Sequence, residues 1–161
     1  MPDPDADQAL SNIISSLAVK FSTPRFKPHI TLASLPDLPV SDLKASAISI
    51  SGRLSSFKLS VGKPVCGDPP YNRFCSELHP SDNLLNAAYI TDEILEGSYA
   101  KMYFYHISLL YGNTQCEDLH KEFNRMSAQL PLSLYVQSLA LFDTSGKPDE
   151  WRSICLFELS R

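Results

Sequence analysis

Leu10, Ile13, Ile14, Leu17, Ala18 and Phe21 recur at the three- and four-residue spacing of one helix face, so the pattern predicts a helix over residues 7–21. Pro24 and Pro28 punctuate the chain, and the period then changes. His29-Ile30-Thr31-Leu32-Ala33-Ser34-Leu35 is an apolar, β-branched run stopped by Pro36, which predicts a strand. Ser41 and Asp42 open and cap a second predicted helix that runs to about Gly52. Residues 57–61 alternate apolar and polar as a half-buried strand does, Gly67-Asp68-Pro69-Pro70 reads as a turn, and residues 72–78 as a short strand. Pro80-Ser81-Asp82 starts a third helix, with Leu84, Leu85, Ala88 and Leu95 along it and Gly97 at its end. Residues 103–111 form the most strand-like run in the chain. A helix is predicted over 117–129 with Leu119, Phe123 and Met126 on one side, and strands over 132–142 and 151–159 around a hairpin turn at Thr144-Ser145-Gly146.

The pattern repeats. Helix 7–21 followed by a strand opening at His29 is matched by helix 82–97 followed by a strand carrying His106, an offset of 106 − 29 = 77. In the second unit a strand ending near Leu78 precedes the helix. Shifted back by 77, Leu78 falls on Met1, so the first unit is expected to lack its opening strand, or to have that sheet position covered by something else.

Composition narrows the classes. The chain has 161 residues, which suffices for one domain with its own core. Net charge is −4, against a non-specific nucleic-acid binder, which needs a basic face. No apolar run approaches the roughly 18 residues of a membrane helix. The opening Met1-Pro2-Asp3-Pro4-Asp5 is not a signal peptide, so the expected location is the cytoplasm. Cys66, Cys75, Cys116 and Cys155 contain no C-x-x-C pair, which speaks against a zinc site and for free, mostly buried thiols; sequence alone leaves a disulfide between any two of them open.

The chemistry sits in two tetrapeptides. His29-Ile30-Thr31-Leu32 and His106-Ile107-Ser108-Leu109 share the pattern His, apolar, hydroxyl, Leu. A given His meets that pattern by chance roughly 1 time in 200, so finding it twice is on the order of a 1 in 10,000 event. On a strand, residues i and i+2 share a face. His29 then points the way of Thr31, and His106 the way of Ser108, while Ile30, Leu32, Ile107 and Leu109 point into a core. Two facing copies gather two imidazoles and two hydroxyls. One neutral imidazole takes a proton from water, one imidazolium gives a proton to a leaving oxygen, and the hydroxyls donate to phosphoryl oxygens. A strand His satisfied by its neighbours is the simpler reading for a single copy, but not for this pair.

These tandem motifs, with Phe26-Lys27-Pro28 before the first, Tyr105 and Leu110-Tyr111-Gly112 around the second, and residues 139–146 with Trp151, resemble the 2H phosphoesterase superfamily over essentially the whole chain. Within it the chain is most similar to the cyclic nucleotide phosphodiesterases of fungi and plants. The resemblance implies a bilobal α+β fold, two pseudo-symmetric antiparallel sheets flanked by helices around a cleft, in a single unit over residues 1–161. It implies metal-independent hydrolysis of cyclic phosphates on ribose. Substrates would be ADP-ribose 1″,2″-cyclic phosphate, a by-product of tRNA splicing, or nucleoside 2′,3′-cyclic phosphates opened to 2′-phosphates. His29 and His106 match the catalytic pair, Thr31 and Ser108 the phosphate-binding hydroxyls, and Tyr111 a pocket tyrosine; no cofactor or metal is implied. A regular strand would turn Tyr111 away from His106, so it reaches the cleft only across a bend or bulge. Family members usually begin with a short strand before the first helix, where this chain has only Met1-Pro2.

Other residues read first as structural: His79 and His120 as surface residues, Trp151 as a core or lid anchor rather than a base-stacking platform, Arg25 and Lys27 as solvated charges with a raised positive potential for a phosphate as the alternative, and Tyr71, Phe74, Tyr103 and Tyr105 as core or sheet-face aromatics with an adenine stacked on one of them as the alternative. The expected partner is a small nucleotide bound by a monomer, without a stable nucleic-acid complex or a membrane. Two alternatives stand beside the leading reading. One is a 2H enzyme acting on RNA ends or 2′-5′ linkages, and the other is a nucleotide-binding module without turnover.

Overall fold

Asp3 starts the first helix. Its carboxylate accepts the Ala6 amide at 3.1 Å, Pro4 supplies a preset φ in the first turn, and Asp5 and Asp7 lie at the positive end of the helix dipole. The helix therefore begins at Pro4 rather than at residue 7, where its apolar stripe begins.

The computed structural model describes residues 1–35, 38–96, 100–101 and 104–161. In chain order these hold α1 Pro4–Phe21, β1 Ala33–Ser34, α2 Val40–Ser51, β2 Phe57–Cys66, β3 Phe74–Leu78, α3 Asp82–Leu95, β4 Ala100–Lys101, β5 His106–Leu110, α4 Cys116–His120, α5 Phe123–Ser127, β6 Ser133–Val136, β7 Ser138–Asp143 and β8 Arg152–Glu158. The fold is α+β with antiparallel strand pairing. Four strands form one sheet in the order β5-β3-β2-β6, while β7-β8 and β1-β4 make two-stranded sheets. Gly97, Tyr103 and the stop at Pro36 lie outside the described residues.

The core joins Leu10, Ile13 and Leu17 of α1 to Phe74 of β3 and to Ile107, Leu109 and Leu110 of β5. Every residue of β5 is buried. The β7-β8 hairpin turns where expected, with Gly146 at φ +82° and the Ser145 amide on the Asp143 carboxylate at 2.9 Å.

Several expectations need correction. The run 29–35 is not one strand: Ile30 makes a single antiparallel bridge to Ile107, and β1 covers only Ala33–Ser34. Ser41 and Asp42 do not cap α2. They lie inside its first turn, Pro39 holds the cap position without a side-chain bond, and the Ser41 hydroxyl donates to Asp42 instead. The predicted helix 117–129 is two short helices. The break falls at Glu122, whose buried carboxylate accepts from Lys20 of α1 and from Arg125, drawing the chain inward between them. The run 132–142 changes sheets at Gln137, because β6 pairs with β2 and β7 with β8.

That switch is also where Met1–Asp3 docks. The Asp3 amide donates to the Tyr135 carbonyl at 2.8 Å, the Gln137 amide donates to the Met1 carbonyl at 3.0 Å, and Pro2 bridges Val136. Three residues thus hold a place beside the sheet ahead of α1. Finally, Cys66 and Cys116 are not free thiols. The end of β2 and the start of α4 meet with their Cα atoms 6.0 Å apart, and the two cysteines form a disulfide. Cys75 and Cys155 are free, and burial pushes the Cys75 thiol up to about 12.

Candidate active site

The two His motifs lie side by side. β5 is the edge of the four-stranded sheet, and the first motif docks on its outer side through the Ile30–Ile107 bridge, which joins the middle residues of the two motifs. In that antiparallel register His29 stands opposite Ser108 and Thr31 opposite His106. Cross-strand neighbours have Cβ atoms about 4.5–5.5 Å apart. Four side chains at alternating positions therefore share one face, and all four line the same cavity of about 940 Å³.

Each imidazole is held alike. His29 Nδ1 lies 2.7 Å from the Lys27 carbonyl, and His106 Nδ1 lies 3.0 Å from the Phe104 carbonyl. In both, the anchor is the carbonyl two residues upstream. A carbonyl only accepts, so each Nδ1 carries a proton and each Nε2 is left for the cavity. Phe104 stacks on His106 at 5.1 Å between centroids, and Phe26 meets His29 edge-on at 6.3 Å. Burial lowers the pKa of His29. The Lys27 carbonyl opposes the shift, and the nearby charge of His106 adds to it.

Tyr111 joins this face through a bulge. Cys75 pairs with Ser108 and Phe74 with Leu110, so one step along β3 matches two along β5. The extra residue restores Tyr111 to the face of His106 and Ser108. Its hydroxyl lies 3.3 Å from His29 Nε2, and since that nitrogen bears no proton the phenol is the donor. Burial pushes the Tyr111 phenol up to about 12, with the Ser108 hydroxyl pulling the other way, so it keeps its proton. Gly112 follows at φ +124°, turning the chain back so that its amide reaches the Pro70 carbonyl at 2.8 Å.

Trp151, expected as a core or lid anchor, and Tyr71, expected first as a structural aromatic, line the same cavity, and so does Phe142, for which the sequence suggested no role. Tyr71 meets Tyr111 edge-on at 5.6 Å, Trp151 lies 5.6 Å from Tyr111 and 6.1 Å from His29, and Phe142 stacks at 6.3 Å from His29. They come from a turn and a hairpin far apart in sequence, with no shared spacing to reveal them. Away from the motifs the cavity continues between Leu43, Ala47 and Ile50 of α2, Leu84 and Ala87 of α3, and Leu141 of β7. His79 and His120 are exposed and do not line it. Among the described residues no group of three His, Cys, Asp or Glu side chains is arranged to hold a metal ion, and no helix is long and apolar enough to cross a membrane.

The fold has solved counterparts. The chain is similar to a phosphoesterase crystal structure at 16% identity and TM-score 0.63, covering 96% of this chain and 93% of that one. It is similar to E. coli LigT in its apo form at 18% identity and TM-score 0.61, covering 94% and 91%. It is also similar to E. coli LigT complexed with 3′-AMP, at 14% identity and TM-score 0.56, covering 94% and 92%. No protein-family model matches the chain, and no curated protein matches its sequence. These likenesses establish the α+β fold of the phosphoesterase and LigT structures.

Proposed function

We propose that the chain is a phosphodiesterase of the 2H type that opens cyclic phosphates on ribose. The observation that carries the reading is the Ile30–Ile107 bridge, which sets two identically anchored imidazoles and two hydroxyls on one face of one cavity. Similarity of the fold to a phosphoesterase, and to LigT complexed with 3′-AMP, supports a nucleotide substrate. The substrates proposed are ADP-ribose 1″,2″-cyclic phosphate and nucleoside 2′,3′-cyclic phosphates, bound by a monomer.

The roles we propose follow from the surroundings of His29: it is the base, because burial lowers its pKa and favours the neutral form, and its Nε2 lone pair faces the cavity. The attacking water takes the place that the Tyr111 hydroxyl now holds at Nε2. Its oxygen bonds to phosphorus while its proton passes to His29. The P–O3′ bond of a 2′,3′-cyclic phosphate breaks, the proton on His106 Nε2 goes to O3′, and a 2′-phosphate leaves. Thr31 donates to a phosphoryl oxygen as charge gathers there, and Ser108 does the same once its single hydroxyl proton turns from the Tyr71 carbonyl to the substrate.

Phosphorus NMR tests this. With EDTA present, the purified chain is given ADP-ribose 1″,2″-cyclic phosphate and, separately, adenosine 2′,3′-cyclic phosphate. The expected products are the 1″-phosphate and the 2′-phosphate, at a rate EDTA leaves unchanged because both proton carriers are imidazoles. Activity abolished by EDTA, or a folded chain that turns over neither compound, refutes the mechanism.

A further inference from the structure

The 77-residue offset runs through most of the fold. Moved forward by 77 residues, α1 falls on α3, the His29 segment on β5, α2 on α4 and α5, and β2 on residues 134–143, the run of β6 and β7. β3 has no counterpart in the first unit. In the four-stranded sheet β3 lies between β5 and β2 and pairs antiparallel with both. The equivalent place lies between the His29 segment and β7, and residues 29–35 and 138–143 both line the cavity. Among the described residues, 29–35 pairs only with β5 and β4, and β7 beyond Ser138 pairs only with β8. One contact checks the symmetry. Leu78 of β3 stands opposite Val61 of β2, and exchanging the two units by 77 residues turns this pair into Met1 and Ser138. The Met1 ammonium indeed donates to the Ser138 carbonyl. Met1 thus marks one end of a slot with a strand edge on each side.

We propose that this slot is a peptide-binding site, which takes the extended C-terminal tail of a partner protein as an added strand between β7 and the His29 segment, with the tail's carboxylate against the Met1 ammonium and Lys27. Strand addition of this kind draws affinity from main-chain hydrogen bonds to an open edge and specificity from alternate side chains. The direction follows from β3, which is antiparallel to both neighbours. A strand so placed runs toward Met1, and Met1–Asp3 already occupies the track ahead along β6. It must therefore stop there, which suits a chain terminus. Burial lowers the Met1 ammonium to about 6; Lys27 adds to the lowering, and Glu158 and Asp7 oppose it without making good the loss. An incoming carboxylate supplies that charge. The register also follows from β3. Ser76 lies between Ile107 and Pro64, and Cys75 between Ser108 and Val65. Exchanged by 77 residues, the tail's penultimate residue lies between Ile30 and Leu141, and the one before it between Thr31 and Phe142. The penultimate side chain shares the face of buried Leu141 and meets the apolar end of the cavity, near Ala47 and Leu84, so it must be apolar. The site stands independently of any turnover of cyclic phosphates.

The probe is a short peptide of alternating threonine and valine, labelled with fluorescein at its N-terminus, with valine second and fourth from a free carboxylate. Its binding to the unaltered chain is followed by fluorescence anisotropy, and hydrogen exchange locates it. Saturable binding is expected, with slowed amide exchange in residues 139–143 and 30–35 and none gained in β3, whose edges are already paired. The same peptide ending in a carboxamide should bind roughly 10- to 100-fold more weakly, the worth of a hydrogen bond to a charged group. Aspartate in place of the penultimate valine should weaken it at least as much, because a charge is then buried among apolar side chains. Lys27→Ala should lower affinity for the carboxylate form and leave the carboxamide form unchanged, which a loss of folding would not do. No binding at millimolar peptide, equal affinity for the carboxylate and carboxamide forms, or protection that falls outside the two edges overturns the site. None of these outcomes depends on whether cyclic phosphates are hydrolysed.

Discussion

His106 stands in β5, a strand whose five residues are all buried and which is laddered to β3, whereas His29 stands on a half-buried segment joined to its neighbour by one bridge at Ile30. The local device is the same in both, an Nδ1 proton on the carbonyl two residues upstream. The difference lies in what holds the device. His106 inherits its position from a sheet core, and His29 from a short bridge and the rings around it. Two copies of one motif thus do not need equal scaffolds, provided that a shared register sets their side chains opposite each other.

The most severe way to test that equivalence is to remove either imidazole. His29→Ala and His106→Ala should each lower kcat/KM by about 100- to 10,000-fold, the range of a general acid or base. The double variant should fall little below the worse single one, because the two act as a unit. Steady-state kinetics on adenosine 2′,3′-cyclic phosphate measures this. Two losses that simply multiply would mean that the imidazoles work independently.

The disulfide separates the halves next. Cys66 and Cys116 close a loop that contains β3, α3, β5 and Tyr111, while α1 and His29 lie outside it. For a loop of 50 residues the chain-entropy contribution is about 4 kcal/mol. The variant with both Cys66→Ser and Cys116→Ser should lose stability of that order in urea unfolding. Native-state hydrogen exchange should show the added opening in β3 and β5 before α1. Uniform loss across both halves would show that the two are not separable in this way.

Thr31→Ala and Ser108→Ala should each cost about 10- to 100-fold in kcat/KM, the worth of one hydrogen bond to a charged group. Ser108→Ala, at a residue 4% exposed and tied to the Tyr71 carbonyl, should also speed amide exchange in the turn that carries Tyr71, and Thr31→Ala, on the bridge segment, should not. A matched effect of the two variants on both measurements would erase the distinction between the halves.

Much of this was legible in the chain itself. The repeated tetrapeptide named all four side chains now found on one face, because a period of 2 fixes which residues share a face whatever the sheet around them. The helices α1 and α3 were legible from apolar spacing, and Ser81 indeed caps α3 by accepting the Leu84 amide. What was illegible depends on contacts between distant segments. Glu122 breaks a helix because Lys20, 102 residues away in sequence, holds its carboxylate. Cys66 and Cys116 pair because β2 ends where α4 begins, which no spacing foretells. Tyr71 and Trp151 meet only once the turn and the hairpin fold over the same cavity. For Tyr111 the sequence stated the condition, a bulge, and only the pairing of Cys75 and Phe74 with Ser108 and Leu110 shows where it lies.

The smallest effect is also the most specific to one half, because Tyr111 donates to His29 and not to His106. A hydrogen bond to the neutral imidazole favours that form, so it adds to the lowering of the His29 pKa that burial begins. A base must be unprotonated, and kcat/KM should therefore fall with decreasing pH only below the ordinary His value of about 6.5. The same group bears on stability. An unfolded chain protonates His29 more readily than the folded one does, so stability should be lost as pH drops through about 6.5 and level off below the folded pKa. Tyr111→Phe removes the donated bond and lets the pKa rise. The acid limb should move up by at most about one unit, a loss of rate that approaches about tenfold only at pH below both pKa values and is almost none near pH 8. The acid-side loss of stability should shrink at the same time. A pH–rate profile beside thermal melts at matched pH reads both, and the opposite signs are the point: lower activity with smaller acid destabilisation identifies Tyr111 as acting through His29. A uniform drop in rate with no shift of the limb would assign it to substrate contact alone.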